Sequence, residues 1–264
     1  MYNFNYHRPG SLNDAVELLG KGDDPTLLAG GMTLIPTLKQ RLAQPSDLID
    51  LAALADLNSI KVAGGTVTIG AMTCHADVAD TPEVAKAIPA LAALAGTIGD
   101  PSVRHRGTIG GSIANNDPAA DYPAAVLGFD AKVETNERTI AADDYFKGLF
   151  ETALGPQEII TAVHFQVPDK AAYMKFPNPA SRYATVGVLV AQTGSNVRVA
   201  VTGAKDCVFR MTEMEDALKA DFSADAVAGI AIPEDDLLSD IHCSKDYRAH
   251  LVTVMAKRAV AAAL

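Results

Sequence analysis

The chain has 264 residues, 48% of them apolar, and 22 basic against 32 acidic side chains give it a net charge of −10. That composition excludes a disordered segment, and so acidic a surface argues against nucleic acid or an anionic membrane as the main partner. No apolar run is long enough to span a bilayer, and Met1–Pro9 has no apolar core of a signal peptide. Cys74, Cys207 and Cys243 form neither a disulfide framework nor a Cys-x-x-Cys metal site, so a cytoplasmic protein is expected.

Ser11 is placed to cap a helix through Ala15, Val16, Leu18 and Leu19 that Gly20 ends. Thr26–Ala29 reads as a short buried strand, Pro36–Leu42 as a helix and Asp47–Leu51 as a second strand, which together suggest a small parallel α/β unit. Segments 59–63 and 66–70 flank Gly64-Gly65, the signal of a tight hairpin. Thr81-Pro82-Glu83 opens a helix that Pro89 interrupts, and an alanine-rich helix follows over 90–95. Strands are expected at 131–135 and 158–167. After a shift in composition near residue 168, an antiparallel meander is expected over 172–176, 185–192 and 196–201. Helices are expected over 211–220, 224–230 and 244–264, the last with Leu251, Val254, Met255 and Ala259 at core spacing.

Two glycine-rich turns carry the chemistry. One is Leu28-Ala29-Gly30-Gly31-Met32-Thr33-Leu34, between a strand and a helix; the other is Gly107-Thr108-Ile109-Gly110-Gly111-Ser112, running on to Asn115. Glycines let backbone N–H groups approach an anion closely, and a helix N-terminus adds a positive dipole. Neither turn fits G-x-G-x-x-G or a P-loop, so two remote turns suggest a pyrophosphate gripped from two sides, as in a flavin dinucleotide. Asp121 suits a ribose or ribityl hydroxyl, and equally suits the N-cap of a helix over 122–127. Arg104-His105-Arg106 reads either as a pyrophosphate clamp or as a solvated cluster, and His75 reads as a capping or packing residue rather than a proton carrier. No metal-ligand set, serine triad or carboxylate pair is evident, so a cofactor carries the chemistry.

Ala29-Gly30-Gly31-Met32-Thr33-Leu34 followed by Arg106-Gly107-Thr108-Ile109-Gly110-Gly111-Ser112-Ile113-Ala114-Asn115 resembles the FAD-binding medium subunits of molybdenum hydroxylases, especially those of aerobic carbon monoxide dehydrogenases. The opening 4–9, the hairpin end at 69–71 and Lys175–Tyr183 are similar as well. The resemblance implies an α+β chain. A two-subdomain FAD-binding domain of the PCMH, or vanillyl-alcohol-oxidase, type would occupy 1–168, divided near 54 and 55. Residues 169–264 would carry a three-stranded antiparallel sheet with a helical bundle. It also implies electron transfer from an iron–sulfur small subunit, reduced by a molybdopterin large subunit, to an external acceptor, within a dimer of heterotrimers.

By the same resemblance both turns would hold the pyrophosphate, Asn115 and Asp121 the ribityl or ribose region, and Ile160 the adenine or flavin edge. Tyr183 would lie against the isoalloxazine, with Lys175 as a further contact. Met32-Thr33 departs from the His-Ser or Gln-Ser of many relatives, which favours backbone over side-chain contacts there. A purine-, nicotinate- or aromatic-hydroxylating enzyme, as in xanthine dehydrogenase, fits the same pattern. A cofactor-free assembly module and a self-contained flavin reductase are the other readings.

Overall fold

The computed structural model describes residues 1–264. Its first sheet is parallel, with strand Asp47–Asp50 between Asn5–His7 and Pro25–Leu28. Ser11 caps helix Leu12–Leu19 as expected, its hydroxyl accepting from the Asp14 amide at 3.1 Å. Ala15 of this helix shares a small core with Ile49, Leu51, Leu54 and Leu57. The next helix spans Leu34–Lys39 rather than 36–42. Arg41 takes a left-handed conformation (φ 59°), and the Leu42 amide closes onto the Thr37 carbonyl at 3.1 Å, which stops the helix early.

The second sheet is antiparallel, in the order Ile60–Ala63, Thr66–Gly70, Ile160–Gln166, Lys132–Thr135, Thr139–Ala141. Gly64 (φ 56°) and Gly65 (φ 74°) make the tight hairpin turn that their lack of Cβ permits. Helices His75–Asp80, Pro82–Ala87 and Pro89–Gly96 follow it, with each proline opening a helix where its missing N–H costs nothing.

The third sheet has four strands rather than three: Lys170–Pro177, Ala184–Thr193, Asn196–Thr202 and a two-residue edge, Phe209–Arg210. So short an edge leaves no periodicity to read. Helices Thr212–Ala220 and Lys245–Ala263 cover its outer face. The helix expected over 224–230 is instead a run of turns. Its amides bond three residues back, Ala228 to Asp225 and Ile230 to Val227, and Gly229 and Pro233 deny it the length a helix needs to propagate.

Alternation along Ala184–Thr193 places this sheet between two cores. Val186, Val188 and Val190 face the two C-terminal helices, whereas Leu189 and Ala191 join the largest core, with Val67, Ile69, Tyr122, Val133 and Phe165. A strand buried on both faces reads as an unbroken apolar run, which is what 186–191 shows. Helix Tyr122–Gly128 is buried throughout; a Cβ on Gly128 would overlap Leu189, so glycine there lets helix and sheet approach.

Arg248 fastens the last helix to the sheet. Its buried guanidinium donates to the Thr185 and Gly203 carbonyls at 2.6 and 2.8 Å and meets Asp240 at 2.6 Å. Arg248→Met keeps the stem but leaves both carbonyls without a donor. The expected cost is about 3 kcal/mol of unfolding free energy, seen as a lower urea midpoint with an unchanged m-value.

Candidate functional site

Strand Pro25–Leu28 delivers the chain into Ala29-Gly30-Gly31, where Gly31 takes φ 74° before helix Leu34–Lys39 begins. None of the amides from Ala29 to Leu34 donates a hydrogen bond within the chain. A consecutive row of unspent donors running into a helix N-terminus is the chemistry of a phosphate cradle.

The second glycine segment is built differently from the turn expected there. Thr108 is the N-cap of helix Ile109–Asn115, its hydroxyl accepting from the Gly111 amide at 3.1 Å, so Gly110 and Gly111 lie in a first helical turn. The Ile109 and Gly110 amides are committed to the Thr73 and Ala71 carbonyls at 3.1 and 2.9 Å. These glycines serve mainly close approach. A Cβ on Gly30 would overlap the Arg106 carbonyl and lie 2.7 Å from the Gly107 Cα. One on Gly107 would lie 2.6 Å from His75 Nε2, and one on Gly110 would lie 2.6 Å from the Ala71 Cβ. With its first-turn amides engaged, this segment contributes Thr108, Gly110, Gly111, Ser112 and Asn115 to the wall opposite the other loop.

The two segments face each other across a cleft of about 540 Å³, within the range of small-molecule sites. Of the residues read from the sequence, Ala29, Gly30, Gly31, Met32, Thr33, Leu34, Gly107, Thr108, Gly110, Gly111, Ser112, Asn115, Asp121, Ile160 and Tyr183 line it. Leu28, Ile109 and Lys175 lie behind the wall. Leu28 Cδ1 would touch a Cβ on Gly31, Ile109 is wholly buried in the main core, and Lys175 reaches Asp121 from outside the cleft.

Asp121 stands at the N-cap of helix Tyr122–Gly128 but makes no capping bond. Its carboxylate instead accepts from the Tyr173 hydroxyl at 2.5 Å and from Lys175 Nζ at 2.8 Å. Burial pushes this carboxyl up, and the Lys175 ammonium opposes the shift. Asp121 therefore enters the wall as a neutralised ion pair, which ties the third sheet to the cleft. At the mouth, burial first and then the Asp117 carboxylate push the Tyr183 phenol up.

Sequence reasoning missed Asp117, Glu158, Met72, Ile98 and Ile159 as lining residues. They come from four separate segments that only the tertiary fold assembles. Glu158 did carry a signal, as an acid beside an apolar strand. It accepts from Arg138 at 2.9 Å and from the Thr135 hydroxyl at 2.8 Å, and these bonds hold its carboxyl down at about 2. Arg104 spends its Nη1 on the Ile98 and Gly99 carbonyls, and His105 and Arg106 are exposed, so none of the three lines the cleft.

His75 is a packing residue. It is 4% exposed, lies against Tyr122 with ring centroids 5.3 Å apart, and its Nδ1 is buried without a partner. Burial, then the Arg104 charge, lowers its pKa to about 4.

Residues 2–168 match the family described as the FAD binding domain in molybdopterin dehydrogenase. The chain belongs to this family. Its cofactor is accordingly FAD, and the row of free amides facing a helix N-terminus fits a dinucleotide pyrophosphate. The chain is 37% identical to the carbon monoxide dehydrogenase medium chain of Hydrogenophaga pseudoflava, over 98% of this chain and 96% of that one. It is 36% identical to the nicotine 6-hydroxylase medium subunit of Paenarthrobacter nicotinovorans, over 97% and 95%. The structure of reconstituted CO dehydrogenase from Oligotropha carboxidovorans superposes with a TM-score of 0.88 at 34% identity, over 99% of this chain and 97% of that one. The FAD-binding chain is thus akin to oxidoreductase subunits, and no helix in it is long and apolar enough to cross a membrane.

Gly30→Ala is expected to push the loops apart at a cost of about 2 kcal/mol, which is roughly 30-fold in FAD affinity by fluorescence titration. Gly111→Ala should cost less, because its Cβ would meet only Thr108 Oγ1 at 3.0 Å and Ala29 Cβ at 3.4 Å. His75 generates a pH dependence. Below pH 6.5 the unfolded chain takes up a proton that the folded chain refuses until about pH 4, so stability is full above this window and falls through it on acidification. The loss attributable to His75 is about 3 kcal/mol; denaturant titrations from pH 7 to 4 should show it, and His75→Gln should remove it.

Proposed function

We propose that this chain is the FAD-carrying electron-transfer subunit of a molybdenum-containing hydroxylase, of the carbon monoxide dehydrogenase type. It would receive electrons from an iron–sulfur small subunit, itself reduced by a molybdopterin large subunit, and deliver them to an external acceptor. The observation that carries this reading is the row of undonated amides from Ala29 to Leu34, set across one cleft from the Thr108-capped helix. The near-full-length likeness to medium subunits supports the division of labour.

Bound FAD supplies the redox chemistry, accepting electrons and releasing them singly or in pairs. The chain binds and orients it. Main-chain donors of 29–34 and the Ser112 side chain would hold the pyrophosphate, Asn115 the ribityl or ribose region, and Ile160 an apolar ring edge. Tyr183 would lie against the isoalloxazine at the mouth, with Asp121 fixed in the wall by Lys175 and Tyr173. Leu28 and Ile109 would support the two segments from behind. In this reading residues 1–168 form the cofactor domain and 169–264 the second domain, in a cytoplasmic dimer of heterotrimers. The likeness to a nicotine-hydroxylating subunit favours a second reading, with the same role and an N-heterocyclic substrate, as in xanthine dehydrogenase-like enzymes.

Co-expression with the neighbouring large and small subunits is expected to yield a complex with flavin absorbance, molybdenum and iron. A complex that forms but never contains FAD would overturn the proposal. Turnover of carbon monoxide against nicotine or purines by that complex separates the two readings.

A further inference from the structure

The loop Thr97-Ile98-Gly99 leaves the C-terminal end of helix Pro89–Gly96 and forms part of the cleft's rim, with Gly99 at φ 52°. Three cations converge on its carbonyls. Lys175 Nζ donates to Thr97 O at 3.3 Å. Arg104 Nη1 donates to Ile98 O at 3.0 Å and Gly99 O at 3.3 Å, and Arg182 Nη1 donates to Gly99 O at 3.4 Å. A helix C-terminus explains why cations gather there, but it offers only about half a negative charge. Lys175 is neutralised by Asp121, whereas neither Arg104 nor Arg182 has a carboxylate within ion-pair distance.

In a chain of net charge −10, two adjoining guanidiniums without counter-ions are a local reversal of sign. Each spends only Nη1 on the loop, leaving Nε and Nη2, the edge that suits a phosphate oxygen pair. Arg182 is also held in place. Its φ is 63°, its amide donates to Asn178 O at 2.8 Å, and the Ala180 and Ser181 amides donate to Asn178 Oδ1 at 2.9 and 3.2 Å. The side chain thus stands on a built turn at the cleft mouth, next to Tyr183.

We propose that Arg182, with Arg104 beside it on the shared Gly99 carbonyl, forms a phosphate-binding subsite at the mouth of the cleft, and that it docks a small, soluble, phosphate-bearing electron acceptor beside the cofactor. This rests on the proposed function above. Asp100, whose carboxylate caps the Val103 amide at 3.0 Å, and Asp117 both stay beyond 4.0 Å of either guanidinium.

Inorganic pyrophosphate titrated calorimetrically into the FAD-loaded complex is expected to bind at one site per chain. Binding should weaken at least tenfold in Arg182→Gln and by less in Arg182→Lys, which keeps the charge but loses the paired donor edge, and it should weaken with added salt. Flavin absorbance per chain is measured in parallel and should be equal in all three. A silent titration, or equal binding by wild type and Arg182→Gln, overturns the subsite; a complex without flavin overturns the proposed function instead. Saturating pyrophosphate should also slow electron delivery to NAD+ but not to an uncharged short-chain quinone. NAD+ delivery that is absent or unaffected overturns the docking of a phosphate-bearing acceptor.

Discussion

The site depends on one contact between main chains, the Gly30 Cα against the Arg106 carbonyl. Any side chain at residue 30 would occupy the place of that carbonyl, so the contact sets how closely the first sheet and the second glycine segment approach. It holds together two segments with different duties. The 29–34 loop keeps its amides free, at a cost in unmade hydrogen bonds that a bound anion would offset. The 107–112 segment spends its Ile109 and Gly110 amides on Thr73 and Ala71 and its Gly111 amide on the Thr108 hydroxyl, and is thereby held rigidly as the opposite wall of the gap. Equivalent-looking Gly-Gly pairs therefore do unlike work, one as a donor row and one as a spacer.

Rigidity at this contact comes from further away. Gly107 and Gly110 seat the segment on His75 and Ala71, and these follow directly from the hairpin strand Thr66–Gly70 in the main core. The third sheet shares that core through Leu189, Ala191 and Ala200, and its first strand sends Tyr173 and Lys175 to Asp121 in the cleft wall. A buried ion pair is weak evidence of net stability, because desolvation consumes most of its Coulomb energy. Its consequence here is geometric: with both carboxylate oxygens engaged, helix Tyr122–Gly128 and strand Lys170–Pro177 are fixed in one register against the cleft.

What the sequence made legible follows from how local each signal was. Ser11, Gly64-Gly65, Pro82 and Pro89 act within a few residues of themselves, and each punctuates the chain where expected. The donor row at 29–34 was legible because strand, glycines and helix are contiguous. The inner character of 109–115 was not, because Gly-Gly lowers helix propensity and the Thr108 cap alone does not outweigh it; the carbonyls of Ala71 and Thr73 that complete the segment lie more than thirty residues upstream. Asp121 likewise had two local readings, hydroxyl acceptor and N-cap. Its actual partners, Tyr173 and Lys175, arrive from a different sheet.

The family match adds the identity of the cofactor but does not distribute the work among residues. That distribution follows from which polar groups are already engaged within the protein. Asp121, Glu158, Arg138 and the amides of 109 and 110 are engaged within the protein, so their charge or donor capacity is directed inward. The amides of 29–34 and the outer edges of the Arg104 and Arg182 guanidiniums are not engaged. These unspent donors lie along the loop inside the cleft and, at Arg182, on its rim, where Arg104 shares the Gly99 carbonyl from outside the lining. A pyrophosphate held at the first leaves the second free, so the two can serve different anions at once.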